Sequence, residues 1–480
     1  MNYSIIRYML GHVTFLTGVC MLLPSLVAVL YQEKTGFSYI ACAVFSMLIG
    51  RLMTGKKPEK STFFAREGFL VVSLSWVLMS LIGAMPFFVS GEFNSYTDAL
   101  FEIISGFTTT GASVANDVEI LSHSTLFWRS FSHWIGGMGV LVFLLALLPM
   151  TGGQSLYFMK AESPGPSVGK QLPRMQTTAK YLYLIYFAMT FLLFVLLVLG
   201  DMNAFDAICT SFATAGTGGF SNYSDGLAGF STYTQIVVTV FMMLFGVNFN
   251  FYFLLLFKKA KEAFKMEEVR WYFAIYFVAI LAMALNLTSI GGNFAQNLLD
   301  AAFQGASIMT TTGFSTVDFN LWSGFSKSIL ILLMFIGACA GSTGGGMKVS
   351  RILIYLKSVK KELQHLIHPK NIKIIKLENK PIEHDVLRSA NIYLIAYIAI
   401  FTISVLLISL DGYDAATTVT SVAATLNNIG PGLNLVGPMG NFDCLSTFSK
   451  YILMFDMLAG RLEIFPMLVL FTPTAWKRKS

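Results

Sequence analysis

Asp98–Ser113 reads DALFEIISGFTTTGAS. About ten apolar, weakly helical residues run into a polar triplet and a glycine. A helix of that length covers ~15 Å, half the hydrocarbon thickness of a bilayer. It cannot span, so the chain must dip into the membrane and return. An acid at the outer start suits the positive end of the helix dipole, and the negative end then faces the membrane interior and favours a cation. Irregular backbone at that depth persists only where protein or water satisfies it. The glycine permits φ > 0, so that neighbouring carbonyls can turn inward and replace an ion's hydration shell.

The pattern recurs. TTTGAS, GTGGFS, TTTGFS and NNIGPG centre on Gly111, Gly219, Gly313 and Gly430. In the first three, an aspartate stands thirteen residues upstream (Asp98, Asp206 and Asp300), and in the fourth Asp414 stands sixteen upstream. One such run reads as an external Gly/Ser/Thr turn. Four in a lipid-grade chain read as a ring around one axis, the arrangement an ion pore needs.

Composition agrees with a membrane solvent. Mean hydropathy is +0.65, 55% of residues are hydrophobic and 12% are charged, against about 25% charged in soluble domains. Candidate spans run over 8–31, 37–54, 68–90, 125–150, 179–200, 231–257, 271–290, 326–355, 389–410 and 448–472. The fold class expected is all-α and polytopic: two leading helices, then four pseudo-repeated helix, re-entrant loop and helix units around one central pore. The units run 1–66, 67–178, 179–268, 269–385 and 386–480, the third repeat carrying an intramembrane glycine loop. The first apolar segment lacks a small-residue cleavage site and reads as a retained helix.

Charge supplies an independent test. If the chain start, 51–66, 151–180, 258–270, 348–388 and the tail share one face, that face holds all but five of the 33 Lys and Arg residues, the exceptions being Lys34, Arg129, Lys327, Lys450 and Arg461. Basic loops mark the cytoplasmic side, so both termini are cytoplasmic and the four glycine motifs open outward. Asp98, Asp117, Glu119, Asp206, Asp225, Asp300 and Asp318 fall on the outer side, an expected acidic vestibule for cations. The net charge of +7 is thus a topology signal, and nucleic-acid binding is not expected. Cys20, Cys42, Cys209, Cys339 and Cys444 lack metal spacing and read as small apolar fillers. His12 and His133 stand apart from carboxylates and read as hydrogen-bonded structural residues. No His, Asp or Glu cluster suits a membrane enzyme, and no cofactor is expected.

Two features lie on the cytoplasmic side of the glycine motifs. IGACAGSTGGGMK (Ile336–Lys348) puts five glycines into the eighth span. It reads either as a movable constriction involving Gly344, Gly345, Gly346 and Lys348, or as a small-residue packing face. Met347 separates Gly346 from Lys348, which spoils the phosphate-binding spacing. Arg461 lies deep in the last span, where a charge normally faces a pore or a partner. It reads either as an electrostatic barrier in the cation path or as an ion-pair partner of Asp456 or Glu463.

These residues resemble the Trk/Ktr/HKT superfamily of potassium transporters over nearly the whole chain. Further matching stretches are WRSFSHWIGGMGV (Trp128–Val140), ESPGP (Glu162–Pro166) and GRLEIFP (Gly460–Pro466). The two leading helices resemble the bacterial TrkH-type membrane subunit more than the shorter KtrB. The resemblance implies a potassium filter lined by the four glycines with their neighbours Thr109, Thr110, Thr217, Gly218, Thr311, Thr312, Asn428 and Ile429. It also implies a homodimer with one pore per protomer in the bacterial cytoplasmic membrane, and gating by a cytoplasmic nucleotide-binding ring of the TrkA type (NAD or ATP). Glycine at all four positions, with no serine at the first, favours potassium over sodium, whereas Asn427, Asn428 and Pro431 depart from the TTTG form. The alternative is an ion-gradient-coupled potassium symporter or a less selective potassium/sodium transporter, although four same-orientation repeats argue against a rocking carrier.

Overall fold

Ser95, Asn203, Asn293 and Asp414 each accept a backbone N–H from the first turn of a short helix, at 3.1, 2.8, 3.0 and 3.1 Å. Side-chain caps of this kind satisfy amides that a helix start leaves unpaired. A second set follows in the same order. Ser122, Ser231, Ser323 and Ser446 cap the next helix of each unit through the amide three residues on, at 3.2–3.4 Å. The repeat is therefore written into the caps as well as the glycines.

The computed structural model describes residues 3–55, 65–139, 175–369, 374–378 and 380–476. The leading helices are α1 (Tyr3–Cys20), α2 (Leu22–Leu30) and α3 (Thr35–Thr54). The first unit has α4 (Ala65–Gly83), α5 (Tyr96–Phe107) and α6 (His123–Met138). The second has α7 (Met175–Val198), α8 (Ala204–Gly216), α9 (Thr232–Phe245) and α10 (Phe249–Leu256). The third has α11 (Glu267–Ile290), α12 (Phe294–Met309), α13 (Gly324–Ile336) and α14 (Val349–Ile367). A two-stranded antiparallel hairpin, β1 (Lys376–Leu377) with β2 (Lys380–Pro381), leads to the fourth unit. That unit has α15 (His384–Ile408), α16 (Ala415–Leu426), α17 (Thr447–Arg461) and α18 (Phe465–Leu470). The basic segment 151–174, the ESPGP run and the last four residues lie outside the described residues.

Among the described residues, six helical stretches are long and apolar enough to cross a membrane: two leading ones and the first helix of every unit. Rows such as Leu184, Phe187 and Phe191 on α7 and Ile395 and Ile398 on α15 are exposed, as lipid-facing side chains are. Ten unbroken spans were expected from the sequence, with a break only in the eighth. Instead the helix after the glycine motif ends or bends inside the expected span in all four units. Helix α6 stops at Gly139 (φ +81°), α9 turns 89° into α10 around Gly246–Asn248, and α13 stops at Gly337 (φ +73°). Helix α17 stops at Arg461, after which Glu463 and Ile464 both have positive φ. Glycine supplies the left-handed backbone in two of these breaks. In the last, Ile464 holds it despite its branched side chain, a costly conformation.

Two apolar cores surround the axis. One joins the leading helices with the first and fourth units, through Trp76, Phe101, Phe107, Trp128 and Met457. The other joins the second and third units, through Tyr186, Phe245, Tyr272 and Phe303. Cys42, Cys209 and Cys339 are buried and Cys20 is half-buried, but Cys444 is exposed in the loop before α17, so the filler reading does not hold there.

Candidate functional site

Helices α5, α8, α12 and α16 end in the same way. Thr109, Thr217, Thr311 and Asn428 adopt φ of +57, +56, +59 and +55°. The amide of the following residue then reaches back to the helix: Thr110 to Ser105 O, Gly218 to Ala213 O, Thr312 to Ser307 O and Ile429 to Ala424 O, at 2.8–2.9 Å. This is a left-handed helix cap, which satisfies end carbonyls and turns the chain sharply. The next residue is the repeat glycine, with φ of +80, +75, +89 and +101° at Gly111, Gly219, Gly313 and Gly430.

Each glycine also fits against its neighbour. A β-carbon on Gly111 would collide with the carbonyl oxygen of Gly218, and one on Gly219 with that of Thr312. One on Gly313 would collide with that of Ile429, and one on Gly430 would lie 2.8 Å from that of Thr110. The order is first to second, second to third, third to fourth and fourth back to first. Eight of the twelve residues expected around the filter make this closed ring, and Thr109, Thr217, Thr311 and Asn428 each stand directly before it in the chain. Asn428 adds a side-chain tie from the fourth segment to the first, its Nδ2 donating to Thr110 Oγ1 at 2.9 Å. Thr108 with Thr110, and Thr310 with Thr312, pair their hydroxyls at 2.8 Å, so the first and third segments are the most alike.

Above the ring lies a cavity of about 170 Å³ bordered by all four glycines. Its other walls are neutral or basic, including Ser113, Asn116, Ser221 and Arg129, and among the described residues no carboxylate lines it. The acids expected as a vestibule therefore do not border this cavity: Asp117, Glu119 and Asp225 are exposed beyond it, and others serve as fasteners. Asp98 and Asp443 both bind Lys450, at 2.8 and 2.9 Å. Asn116 and Lys450 hold the Asp443 carboxyl below its ordinary pKa. Asp98 and Asp206 lie in the first turns of their helices and Asp414 is itself a cap. Asp300 is an exception, since α12 starts at Phe294 with no acid in its first turn.

Sequence reading missed Glu102. It is wholly buried on α5 and pairs with Arg129 of α6 at 2.7 Å. The same arginine covers the Phe220 ring at 4.2 Å and donates to Ser221 O at 3.3 Å, so it joins the first two segments just outside the glycines. A lone glutamate inside an apolar half-helix was the available signal. His133 does act structurally, its Nδ1 on Gly106 O at 2.8 Å and its Nε2 accepting from Phe220 N at 3.2 Å. His12 binds Tyr8 O at 2.9 Å.

The glycine run does break the helix, and it sits directly against the ends of α12 and α16. Gly345 N donates to Thr311 Oγ1 at 2.6 Å, and Gly346 N donates to Asn427 O at 3.1 Å. A β-carbon on Gly344 would meet Ala338 and Thr310 O. Lys348 is buried and turns its ammonium back onto the carbonyls of Gly344 and Gly345. Arg461 reaches the same loop from the other side, donating to Thr343 O at 2.7 Å and to Gly136 O and Gly137 O, the latter at 2.7 Å. Neither carboxylate named in the ion-pair alternative is aimed at it. Glu463 is bonded to Arg351, and Asp456 accepts from Ser404 Oγ at 2.8 Å. Backbone carbonyls give no sequence signature, so these partners could not be foreseen.

Comparison with known proteins places this geometry. Residues 37–478 match the family described as TrkH, cation transport protein. The Trk system potassium uptake protein TrkH of Escherichia coli K12 is 37% identical over 484 residues, which is 99% of this chain and all of that protein. The E. coli protein TrkG is 32% identical over 99% of both chains. The crystal structure of the potassium transporter TrkH from Vibrio parahaemolyticus superposes with a TM-score of 0.90, at 34% identity, over 99% of this chain and 100% of that one.

Proposed function

The chain belongs to the TrkH family of cation transport proteins, and from that premise we propose that it takes up potassium across the bacterial cytoplasmic membrane through a channel-like pore. In this reading the four glycine segments form the selectivity filter, with carbonyl oxygens taking the place of water around a dehydrated ion. The closed glycine-to-carbonyl ring is the observation that supports it most. Such a ring constrains the carbonyls of Thr110, Gly218, Thr312 and Ile429, each of which lies against the glycine of a neighbouring unit. In this reading the units are those drawn from the sequence, although α4, α7, α11 and α15 each begin a little ahead of those bounds, and both termini are cytoplasmic.

The glycine loop acts as the constriction on the cytoplasmic side, held in place by Lys348 and Arg461. The guanidinium adds positive charge in a low-dielectric passage, where repulsion of a cation is strongest. Gating is exerted by a cytoplasmic nucleotide-binding subunit of the TrkA type, and the working form is a homodimer. Tracer potassium flux into vesicles containing the purified chain tests this function. Flux should run down the potassium gradient alone, and an absolute requirement for a sodium or proton gradient would favour the symport alternative.

A further inference from the structure

One carboxylate holds both feet of the glycine loop. Glu268, near the start of α11, is 4% exposed. Its Oε1 accepts from Ala340 N at 2.7 Å and from Ser350 N at 3.1 Å. Ala340 lies in the turn at the start of the loop, and Ser350 is the second residue of the helix leaving it. The same base is also crossed by backbone bonds, Val349 N to Ala338 O at 3.1 Å, Met347 N to Phe335 O at 3.3 Å and Ala338 N to Gly345 O at 3.5 Å. The loop's geometry thus depends in part on an acceptor from α11, the first helix of its own unit.

Two surroundings bear on what this bond does. First, a cavity of about 460 Å³ opens beside it, bordered by Glu268, Ala340, Ser350, Asn248, Lys265 and Glu378. Close-packed surroundings would make the bond a packing detail, whereas open space gives the released loop foot somewhere to move. Second, Ser350 is continuous with α14, a helix that exposes Leu356, Val359, Leu363 and Leu366. These recur at helical spacing on one side of it. A displacement of α14 acts first on the Ser350 amide.

We propose that Glu268 is a positioning residue of the glycine loop, stapling its two feet until movement of α14 pulls Ser350 away and lets the loop swing toward the neighbouring cavity. The proposal rests on the loop being the constriction, and it names the contact through which a cytoplasmic signal reaches it. A charged acceptor shared by two buried amides gives a strong bond, and its removal leaves both donors unsatisfied.

The test is tracer potassium flux per folded protein in vesicles containing the full chain, with external potassium varied. Glu268→Ala should raise the maximal rate severalfold and change apparent potassium affinity much less, because the loop reaches the filter segments only through Thr311 and Asn427 and not through the ring glycines. Glu268→Gln keeps a carbonyl acceptor for the two amides and should return the rate toward the starting protein. A well-folded Glu268→Ala protein with an unchanged maximal rate overturns the proposal, as does a Gln variant as fast as Ala. If the alanine protein does not fold, Glu268→Asp, whose shorter arm reaches one foot only, should give an intermediate rise, and an unchanged rate there overturns it equally. Deletion of Gly344–Gly346 separates the two levels. If the deletion raises flux and the Glu268 variants do not, the staple fails and the constriction stands; if the deletion raises nothing, the constriction itself fails.

Discussion

Gly430 lies against the carbonyl oxygen of Thr110, from the opposite end of the sequence. This contact closes a ring that Gly111, Gly219 and Gly313 have each carried one unit further. It explains why glycine stands at each position for two separate reasons. The positive φ disfavours any side chain, and the neighbouring carbonyl occupies the place where a β-carbon would be.

Gly313→Ser should therefore disturb two segments at once, its own and that of Ile429. The expected result is lower apparent potassium affinity and weaker rejection of sodium, with near-normal yield of folded protein. Competitive uptake of potassium against sodium measures it, and unchanged selectivity in a well-expressed variant would count against the filter assignment.

Deleting Gly344–Gly346 removes the backbone that contacts Thr311 and Asn427. Maximal flux should rise. A loop that merely packs helices would instead show reduced yield and thermal stability with no gain in rate.

Arg461→Ala removes a charge together with the donors to Thr343, Gly136 and Gly137. Hydrogen bonds to charged groups contribute about 1.5–3 kcal/mol, so the loop should loosen as well as lose its repulsive neighbour. The maximal rate should increase while apparent affinity changes little. Arg461→Lys keeps the charge but cannot span three carbonyls with a planar fork. A rate for Lys close to the starting protein assigns the effect to charge, and a rate close to that of Ala assigns it to the tether.

Glu102→Ala strands the buried Arg129 guanidinium. Breaking such a pair from one side costs about 3–5 kcal/mol, so the unfolding temperature in detergent should drop markedly. Since Arg129 also contacts Ser221 and Phe220, surviving protein should show altered selectivity. A normal unfolding temperature would show that the pair is dispensable.

Much of this architecture was legible because the polar segments interrupt otherwise uniform apolar sequence. The half-length helices, the left-handed glycines and the break after Ile336 all follow from local rules. The serine caps at Ser122, Ser231, Ser323 and Ser446 obey such rules too, yet each is inconspicuous until the repeats are aligned by structure. The breaks after Met138, Phe245 and Arg461 were missed because apolar residues continue on both sides of them, and hydropathy does not register a bend. Asp300 misled for a related reason: its spacing from Gly313 matches the other repeats, but α12 begins farther upstream. The contacts of Arg461 and Glu268 were out of reach, since their acceptors and donors are backbone groups brought together only by the fold.

In the proposed function, potassium passes through the glycine ring as a dehydrated ion. Single-protein current across a bilayer, with potassium on one side and sodium on the other, tests it most directly. The account predicts unitary currents that reverse close to the potassium equilibrium potential, and a reversal shifted toward zero in Gly313→Ser. Absence of unitary current, with flux measurable only when a sodium or proton gradient is imposed, would contradict it.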